Sequence, residues 1–249
     1  MSEREAAAVE LLRKKRALAA LVVHDLRSPL AALAGYLELA QMDVDSHASP
    51  ETITAKLEEC RTLVTKTLGL VATILDVDEL EDGMLRAHRT TVRVHDLVSD
   101  VYRGHHGHFA TRGLQFDQRI PAGLALSIDC DLLGRVVENL LDNAMRYVPR
   151  QGRVELAARV DGESVEITVG NSGPPVSDVE RNAIFGRYFQ VEARRAAARA
   201  NRGLGLYFCK LAVEAHDGSI TVETRGDLGA VFVVRLPVQS AKPTTEPPL

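Results

Sequence analysis

Residues 154–169 read VELAARVDGESVEITV, and this stretch decides the fold class of the C-terminal part of the chain. Apolar and polar residues alternate on both sides of Asp161-Gly162, which is the pattern of two half-buried strands joined by a tight turn. Two flanking segments also have a strand-like pattern, residues 219–224 and 230–236. Three others have a helix-like pattern, residues 95–103, 130–147 and 203–216. Residues 83–238 are therefore predicted to form an α/β sandwich of the α+β class, with helices on one face of a mixed sheet.

Residues 1–82 follow a helical periodicity instead. Apolar residues recur at alternating steps of three and four in two segments, first at Val23, Leu26, Leu30, Leu33, Leu37 and Ala40, then at Ile53, Leu57, Cys60, Val64, Thr67, Val71 and Ile74. This spacing is typical of the contact seam between helices that pack at a shallow angle. Ser49 and Pro50 lie between the two segments and are predicted to be the N-cap and the first residue of the second helix.

The two segments therefore predict an antiparallel helical hairpin. Because two helices alone bury little apolar surface, we expect two hairpins to pair as a dimeric four-helix bundle. The alternative is a monomeric arm whose helices pack only on each other.

The composition of the 249 residues, 45% hydrophobic and 26% charged, is that of a folded protein with one large domain or two ordinary ones. A net charge of -4 argues against a nucleic-acid partner, which would require a basic surface. No stretch approaches the roughly 18 consecutive apolar residues of a membrane span, so a cytoplasmic protein is predicted. The tail, residues 239–249, is predicted to be disordered.

The three cysteines, Cys60, Cys130 and Cys209, are far apart in the sequence and lack the paired spacing of zinc ligands. We predict buried, reduced thiols at all three positions. The cluster His105, His106 and His108 also has no acid or cysteine spaced to complete a metal site, and a solvated helix end is predicted there.

Residues 23–30 read VHDLRSPL and place a histidine one position off the helical seam. The ring of His24 is therefore expected to point into solvent, where an imidazole can act as a nucleophile. Asp25 can hydrogen bond one ring nitrogen and leave the other free to attack phosphorus. The alternative is an inert surface histidine.

Residues 136–147 read VVENLLDNAMRY and place Asn139 and Asn143 four residues apart on one helical face. The carboxamide oxygens could bind Mg²⁺ and the amide groups could bind phosphate oxygens, with Arg146 as a charge partner. A merely polar helix surface is the alternative. Downstream, Gly203 and Gly205 would let main-chain amides approach phosphates at a helix N-terminus.

Together these segments resemble the sensor histidine kinases of two-component signalling systems. HDLRSPL at residues 24–30 resembles the phosphoacceptor box of that family, and residues 136–147 resemble its N box. The remaining boxes follow in family order as VGNSGPPV at residues 169–176, IFGRYF at 184–189 and RGLGL at 202–206. By this resemblance residues 1–82 are the dimerisation and phosphotransfer domain, residues 83–238 are the ATP-binding domain, and residues 190–202 are a lid over the nucleotide.

The resemblance implies specific roles. His24 is phosphorylated, Asp25 acts as the base in phosphotransfer, and Ser28 helps to position water for dephosphorylation of the partner. Asn143 is the expected Mg²⁺ ligand. The implied ATP-binding residues are Asn139, Asn143, Arg146, Tyr147, Asn171, Gly173, Phe185, Arg187, Phe189, Gly203, Leu204, Gly205 and Leu206.

The implied function is autophosphorylation of His24 from Mg-ATP, followed by transfer to an aspartate of a response-regulator receiver domain. A separate sensor or upstream input domain is a further implied partner. ATP-hydrolysing members of the wider ATPase family carry a glutamate where this chain has Asn139, which favours a kinase over an ATPase. The catalytic domain is expected to swing on the segment near residues 80–90.

Three positions depart from the family pattern. Asn171 replaces the aspartate that accepts a hydrogen bond from adenine, and Pro175 and Asn201 replace glycines. They motivate a second hypothesis, that the chain is a catalytically degenerate kinase that binds nucleotide or partner proteins without turnover.

Overall fold

The computed structural model describes residue 23, residues 26–186 and residues 204–238. The chain divides into two compact units, and the boundary between them falls between Leu75 and Asp76. This boundary lies within a helix, N-terminal to the domain limit expected from the sequence.

The first unit contains the predicted hairpin. Helix α1 covers residues 26–45, and helix α2 begins at Pro50 and runs as Pro50–Glu81 into the second unit. The main-chain N–H of Thr52 donates to Oγ of Ser49 at 3.3 Å, which confirms Ser49 as the N-cap of α2. An ion pair between Lys56 and Asp43 joins α2 to α1.

Only half of the predicted seam is covered within one hairpin. Ala40 and Cys60 are buried, and Leu33 and Ile53 are partly buried. The alternate seam positions remain 36–54% exposed, namely Val23, Leu30, Leu37, Leu57, Val64 and Val71. A continuous apolar surface is therefore left uncovered along both helices.

The second unit is an α+β sandwich with a mixed sheet, as predicted. After the end of α2 its elements follow in the order β1 Thr90–Arg93, α3 Val94–Arg112, β2 Gln115–Arg119, β3 Ala125–Ile128, α4 Cys130–Tyr147, β4 Arg153–Asp161, β5 Ser164–Asn171, a short 3-10 turn Ala183–Phe185, α5 Gly205–Glu214, β6 Ser219–Arg225 and β7 Leu228–Pro237. The five-stranded sheet has the order β2-β4-β5-β7-β6. Strands β2 and β4 are parallel and the other pairs are antiparallel, while β1 and β3 form a separate antiparallel pair.

The β4–β5 hairpin has the predicted tight turn. Asp161 pairs with Ser164, so only Gly162 and Glu163 connect the strands. Gly162 has a φ of 62°, a left-handed conformation that glycine adopts without steric cost. The turn fixes which residues of the two strands face each other.

The core of the second unit lies between the sheet and its helices. Helix α4 buries Leu132, Leu133, Val136, Val137, Leu140, Leu141 and Ala144 along one face. Strand β5 contributes Val165, Ile167 and Val169 to the same apolar cluster. This packing fixes the rotation of α4 about its axis and therefore decides which of its polar residues face outward.

On the other face of β5 a carboxylate is fully buried. Glu166 accepts hydrogen bonds from Arg159 at 3.2 Å, Arg225 at 3.0 Å and Arg235 at 2.9 Å. These arginines come from β4, β6 and β7, so one side chain ties four neighbouring strands together. Its charge is compensated by hydrogen-bonded cations, the condition for burying an ionised group.

The prediction of three buried thiols is wrong at one position. Cys60 and Cys209 are buried, whereas Cys130 is exposed, and all three are free. Cys130 is the first residue of α4 and precedes the run of buried positions, which begins at Leu132. Among the described helices, none combines the length and the apolar character needed to cross a membrane.

Candidate nucleotide-binding site

Helix α4 forms the frame of the site. Its N-cap is Asp129, whose Oδ1 accepts hydrogen bonds from the main-chain N–H groups of Asp131 and Leu132, both at 3.1 Å. With its apolar face buried, the helix leaves Asn139, Asn143 and Tyr147 partly exposed. Steps of four residues place these three side chains on one face over about 12 Å of the helix axis.

One end of this face meets the start of α5. Nδ2 of Asn139 donates to the carbonyl of Arg135 at 2.8 Å. A Cβ atom on Gly205 would lie 2.5 Å from Oδ1 of Asn139, so a larger residue at this position would displace the Asn139 carboxamide. The structure thus brings together two residues that the sequence assigned to separate boxes.

Gly205 is the first residue of α5, so the N-terminus of this helix lies beside Asn139. Leu204 is buried, and its carbonyl accepts a hydrogen bond from the N–H of Phe208 at 2.7 Å. Leu206 is partly buried and packs against the core. The two leucines anchor the glycine turn, while the N–H groups of a helix N-terminus favour an anion nearby.

The other end of the α4 face meets the end of β5. Asn171 is 1% exposed, and its Oδ1 accepts a hydrogen bond from the N–H of Gly173 at 2.8 Å. A Cβ atom on Gly173 would lie 2.4 Å from the carbonyl oxygen of Tyr147. The segment of residues 169–176 therefore packs directly on the C-terminal end of α4. Three predicted nucleotide-binding residues, Tyr147, Asn171 and Gly173, lie together.

Phe185 has a different environment. It is buried, and its ring meets that of Phe232 at 6.3 Å between centroids in an edge-to-face arrangement. Its side chain therefore packs in the apolar core. Asn143 and Arg146 lie on α4 between the two ends of the site and are partly exposed.

Several predicted site residues lie outside the described part of the chain. They are His24, Asp25, Arg187, Phe189 and Gly203, together with Asn201, the predicted lid at residues 190–202 and the predicted disordered tail at residues 239–249. Ser28 is described and is exposed on α1.

The prediction of a solvated helix end is wrong at His105. This side chain is 9% exposed because α3 continues to Arg112. Nδ1 lies 3.0 Å from the carbonyl of Val101, and Nε2 lies 3.1 Å from Oδ1 of Asp142. Both neighbours are acceptors, and the hydrogen bond to Asp142 is the main reason why the pKa of His105 is raised.

Two residues that shape the site were missed from the sequence. A Cβ atom on Gly229 would lie 1.9 Å from the carbonyl oxygen of Gly173, so the start of β7 packs directly against the main chain at Gly173. Arg112 donates to the carbonyls of Met145 and Val148 and thereby caps the C-terminus of α4. Both contacts join residues that are distant in the sequence, and no local pattern signals them.

The residues present fit a nucleotide with a divalent cation. Within the described part of the chain, no group of three or more His, Cys, Asp or Glu side chains could hold a metal ion. Mg²⁺ prefers oxygen ligands, and carboxamide oxygens and phosphate oxygens are both of this kind. Asn143, on the partly exposed face of α4, is positioned to contribute such an oxygen.

Two family models match this chain. Residues 14–83 match the His Kinase A (phospho-acceptor) domain, and residues 128–240 match the histidine kinase-, DNA gyrase B-, and HSP90-like ATPase domain. The two matches together cover more than half of the chain and occur in the order that the sequence predicts. The chain belongs to the sensor histidine kinases. The predicted family and fold class are both confirmed.

Curated histidine kinases are similar over most of this chain. The sensor protein KdpD of Escherichia coli (strain K12) is 31% identical over 230 residues, which are 91% of this chain and 25% of that protein. The signal transduction histidine-protein kinase BaeS of the same organism is 32% identical over 218 residues, 88% of this chain and 46% of that protein. The chain thus spans less than half the length of these two relatives.

Solved structures show the same fold. The Acinetobacter baumannii histidine kinase AdeS matches with a TM-score of 0.63 and 18% identity, covering 87% of this chain and 98% of that one. The histidine kinase ThkA, solved in complex with response regulator protein TrrA, matches with a TM-score of 0.61 and 21% identity, covering 96% of this chain and 68% of that one. At these identities the likeness supports the fold alone.

Proposed function

We propose that this histidine kinase phosphorylates its own His24 from Mg-ATP and transfers the phosphoryl group to an aspartate of a response-regulator receiver domain. The main support is the contact between Asn139 and Gly205. It places a carboxamide, not a carboxylate, beside the helix N-terminus where phosphates would bind. A carboxamide can bind phosphate or metal but cannot take a proton from water, so the γ-phosphate is kept for the histidine.

The nucleotide would lie along the face of α4. Its phosphates would bind near Asn139, Gly205 and the N-terminus of α5, because main-chain N–H groups and the helix dipole favour anions there. Its base would lie at the other end, near Asn171 and Gly173. Arg146, Arg187 and Gly203 are proposed phosphate contacts, and Tyr147, Phe189, Leu204 and Leu206 would line the remainder of the site, with Phe185 supporting it from the core.

In the proposed reaction the free ring nitrogen of His24 attacks the γ-phosphorus, and the bond to the β-phosphate oxygen breaks to release ADP. Asp25 holds the other ring nitrogen and acts as the base. Mg²⁺, when bound by Asn143 and the phosphates, would neutralise charge on the transferred group. Ser28 is proposed to position water if the kinase also dephosphorylates its regulator.

A homodimer is proposed from the uncovered seam of the hairpin. Apolar residues at every second seam position of both helices are exposed, including Leu30, Leu57 and Val64. A second copy of the same hairpin carries a complementary seam and would complete a four-helix bundle. We further propose a cytoplasmic location, with a separate sensor or input domain as an upstream partner.

The deciding experiment is transfer of label from γ-labelled ATP with Mg²⁺ to the purified protein, scored as acid-labile, base-stable phosphate. His24→Gln removes the proposed acceptor, and His47→Gln, at an exposed histidine in the same unit, is the matched control. Label on the wild type and on His47→Gln, with none on His24→Gln, is the expected result. Nucleotide binding without any label would contradict the proposal and favour the degenerate, partner-binding kinase.

A further inference from the structure

Arg135 lies one helical turn before Asn139 on α4 and contacts three parts of the second unit. Its main-chain carbonyl accepts the hydrogen bond from Nδ2 of Asn139. Its guanidinium carbon lies 4.5 Å from the centre of the Phe208 ring on α5. Its guanidinium also forms an ion pair with Asp76 near the end of α2. A single residue therefore joins α4 with α5 and α2.

The contact with Phe208 affects the site because of where this ring lies. Phe208 is fully buried, three residues after Gly205 on α5. The guanidinium over its ring adds a cation–π contact between α4 and the first turn of α5 to their shared apolar core. In the same region of these two helices, Gly205 lies close to Oδ1 of Asn139. Residue 135 thus contacts Asn139 through its main-chain carbonyl and α5 through its guanidinium.

Asp76 is held firmly enough to orient Arg135. The side chains of Arg135 and Asp76 are only 29% and 19% exposed, so the pair is poorly screened by solvent. The next residue, Val77, is 1% exposed and belongs to the apolar core of the second unit. One turn further, Glu81 accepts a hydrogen bond from the hydroxyl of Tyr207 on α5.

We infer that Arg135 is a positioning residue for the phosphate end of the nucleotide site, and that Asp76 holds it in position from the end of α2. This inference rests on the proposed function, because it takes Asn139 and Gly205 to contact the phosphates. It assigns the last two turns of α2 a role in nucleotide binding. The segment beyond them is also attached, since the N–H of His88 donates to Asp129 at 2.8 Å and Arg89 donates to Asp217 at 2.7 Å.

The test compares two ligands that probe different ends of the site. AMPPNP with Mg²⁺ would use both ends, whereas adenosine lacks phosphates and would use only the end near Asn171. Loss of positioning at Asn139 and Gly205 should weaken AMPPNP binding and leave adenosine binding unchanged. General damage to the fold should weaken both ligands together.

We expect Arg135→Gln to raise the Kd of AMPPNP about fivefold, the effect of losing a partly desolvated cation–π contact. Asp76→Asn should raise it about threefold, as for a partly buried ion pair. Arg135→Lys keeps a cation near both Asp76 and Phe208 and should fall between the wild type and Arg135→Gln. Asp78→Asn, at an exposed acid on the same helix, should bind like the wild type.

The double variant Asp76→Asn/Arg135→Gln decides whether Asp76 acts through Arg135. An affinity equal to that of Arg135→Gln alone is expected, since that change already removes the guanidinium through which Asp76 acts. Additive losses, parallel losses of adenosine binding, or unchanged affinities would each overturn the inference. A wild type that binds neither ligand would instead remove the proposed function, and the inference with it.

Discussion

Nε2 of His216 accepts a hydrogen bond from the main-chain N–H of Asp129 at 2.9 Å, while Nδ1 donates to the carbonyl of Ala212 at 2.7 Å. These partners require a neutral ring. Burial accordingly lowers the pKa of His216. The folded state therefore binds a proton at this ring less readily than the unfolded chain does.

The stability contributed by His216 should thus be fully present above pH about 6.5 and decrease as the pH falls below it. His216→Gln should destabilise the fold at pH 7 by about 1–3 kcal/mol and should flatten the decline on acidification. Urea unfolding between pH 5 and pH 8 measures both effects. If the stability of the variant falls as steeply on acidification as that of the wild type, other groups cause the decline.

His105 should have the opposite dependence on pH. The hydrogen bond to Asp142 raises its pKa against the effect of burial, with Glu138 also contributing. Its stabilisation is therefore complete below pH about 6.5 and is lost as the pH rises through the folded-state pKa. His105→Gln should selectively reduce stability at pH 5 to 6, measured by the same unfolding series. His106→Gln, at the exposed neighbour, should leave the profile unchanged.

Gly229→Ala should distort the proposed base end of the nucleotide site. The added Cβ would meet the carbonyl oxygen of Gly173 at 1.9 Å, and backbone on one side or the other must move. We expect a loss of stability of about 1–3 kcal/mol and a rise of about tenfold in the Kd of AMPPNP. Calorimetric titration and thermal unfolding measure these. Gly123→Ala is the control, because nothing lies within 4 Å of that position, and equal behaviour of the two variants would contradict the packing argument.

The proposed dimer predicts that one charge on the exposed seam separates the protomers. Val64→Glu would bury an unpaired carboxylate between two hairpins, which is strongly unfavourable. Sedimentation velocity should show a dimer for the wild type and a monomer for the variant. Thr54→Glu, at an exposed polar position on the same helix, should remain dimeric. A monomeric wild type at micromolar concentration would contradict the proposed bundle.

Glu166→Gln should destabilise the second unit. Burial opposes ionisation of Glu166, but hydrogen bonds from Arg159 and Arg225 outweigh it, and the pKa of the carboxyl group is lowered. Removing the charge leaves three arginines that are 37–60% exposed and can still be hydrated, and it buries an amide N–H group among donors, at a cost of about 1–3 kcal/mol. Chemical denaturation at pH 7 measures the loss. The exposed residue Glu163 lies in the adjoining turn, and Glu163→Gln should have little effect.

Local sequence patterns were sufficient to predict the elements whose own apolar residues form one buried face. Helix α4 begins and ends at the predicted residues, and the β4–β5 hairpin turns at Gly162 as expected. Strand β2, with the sequence QFDQR, has no apolar alternation and exists because it pairs with β4. Gly104 and Gly107 have low helix propensity, and the helix was predicted to end at residue 103. Burial of His105 and Phe109 stabilises the following turns, so α3 continues to Arg112.

The site likewise contains residues that the sequence predicted and contacts that it could not predict. The sequence placed Asn139 and Asn143 on one face of α4 and identified the glycine segments that meet its two ends. It could not indicate that Gly229 supports Gly173, or that Asp76 reaches Arg135, because these contacts join segments far apart in the chain. Such contacts depend on the assembled tertiary structure and not on any helix or strand period.

The buried Glu166 also constrains how the sheet can assemble. Side chains on a strand alternate between its two faces, so a slip of β5 by one residue would turn this carboxylate toward the apolar layer beneath α4. No arginine from β4, β6 or β7 would then reach it, and the misaligned sheet would contain an uncompensated charge. The ion cluster therefore favours the native register over this one-residue slip more strongly than Val165, Ile167 and Val169 would alone.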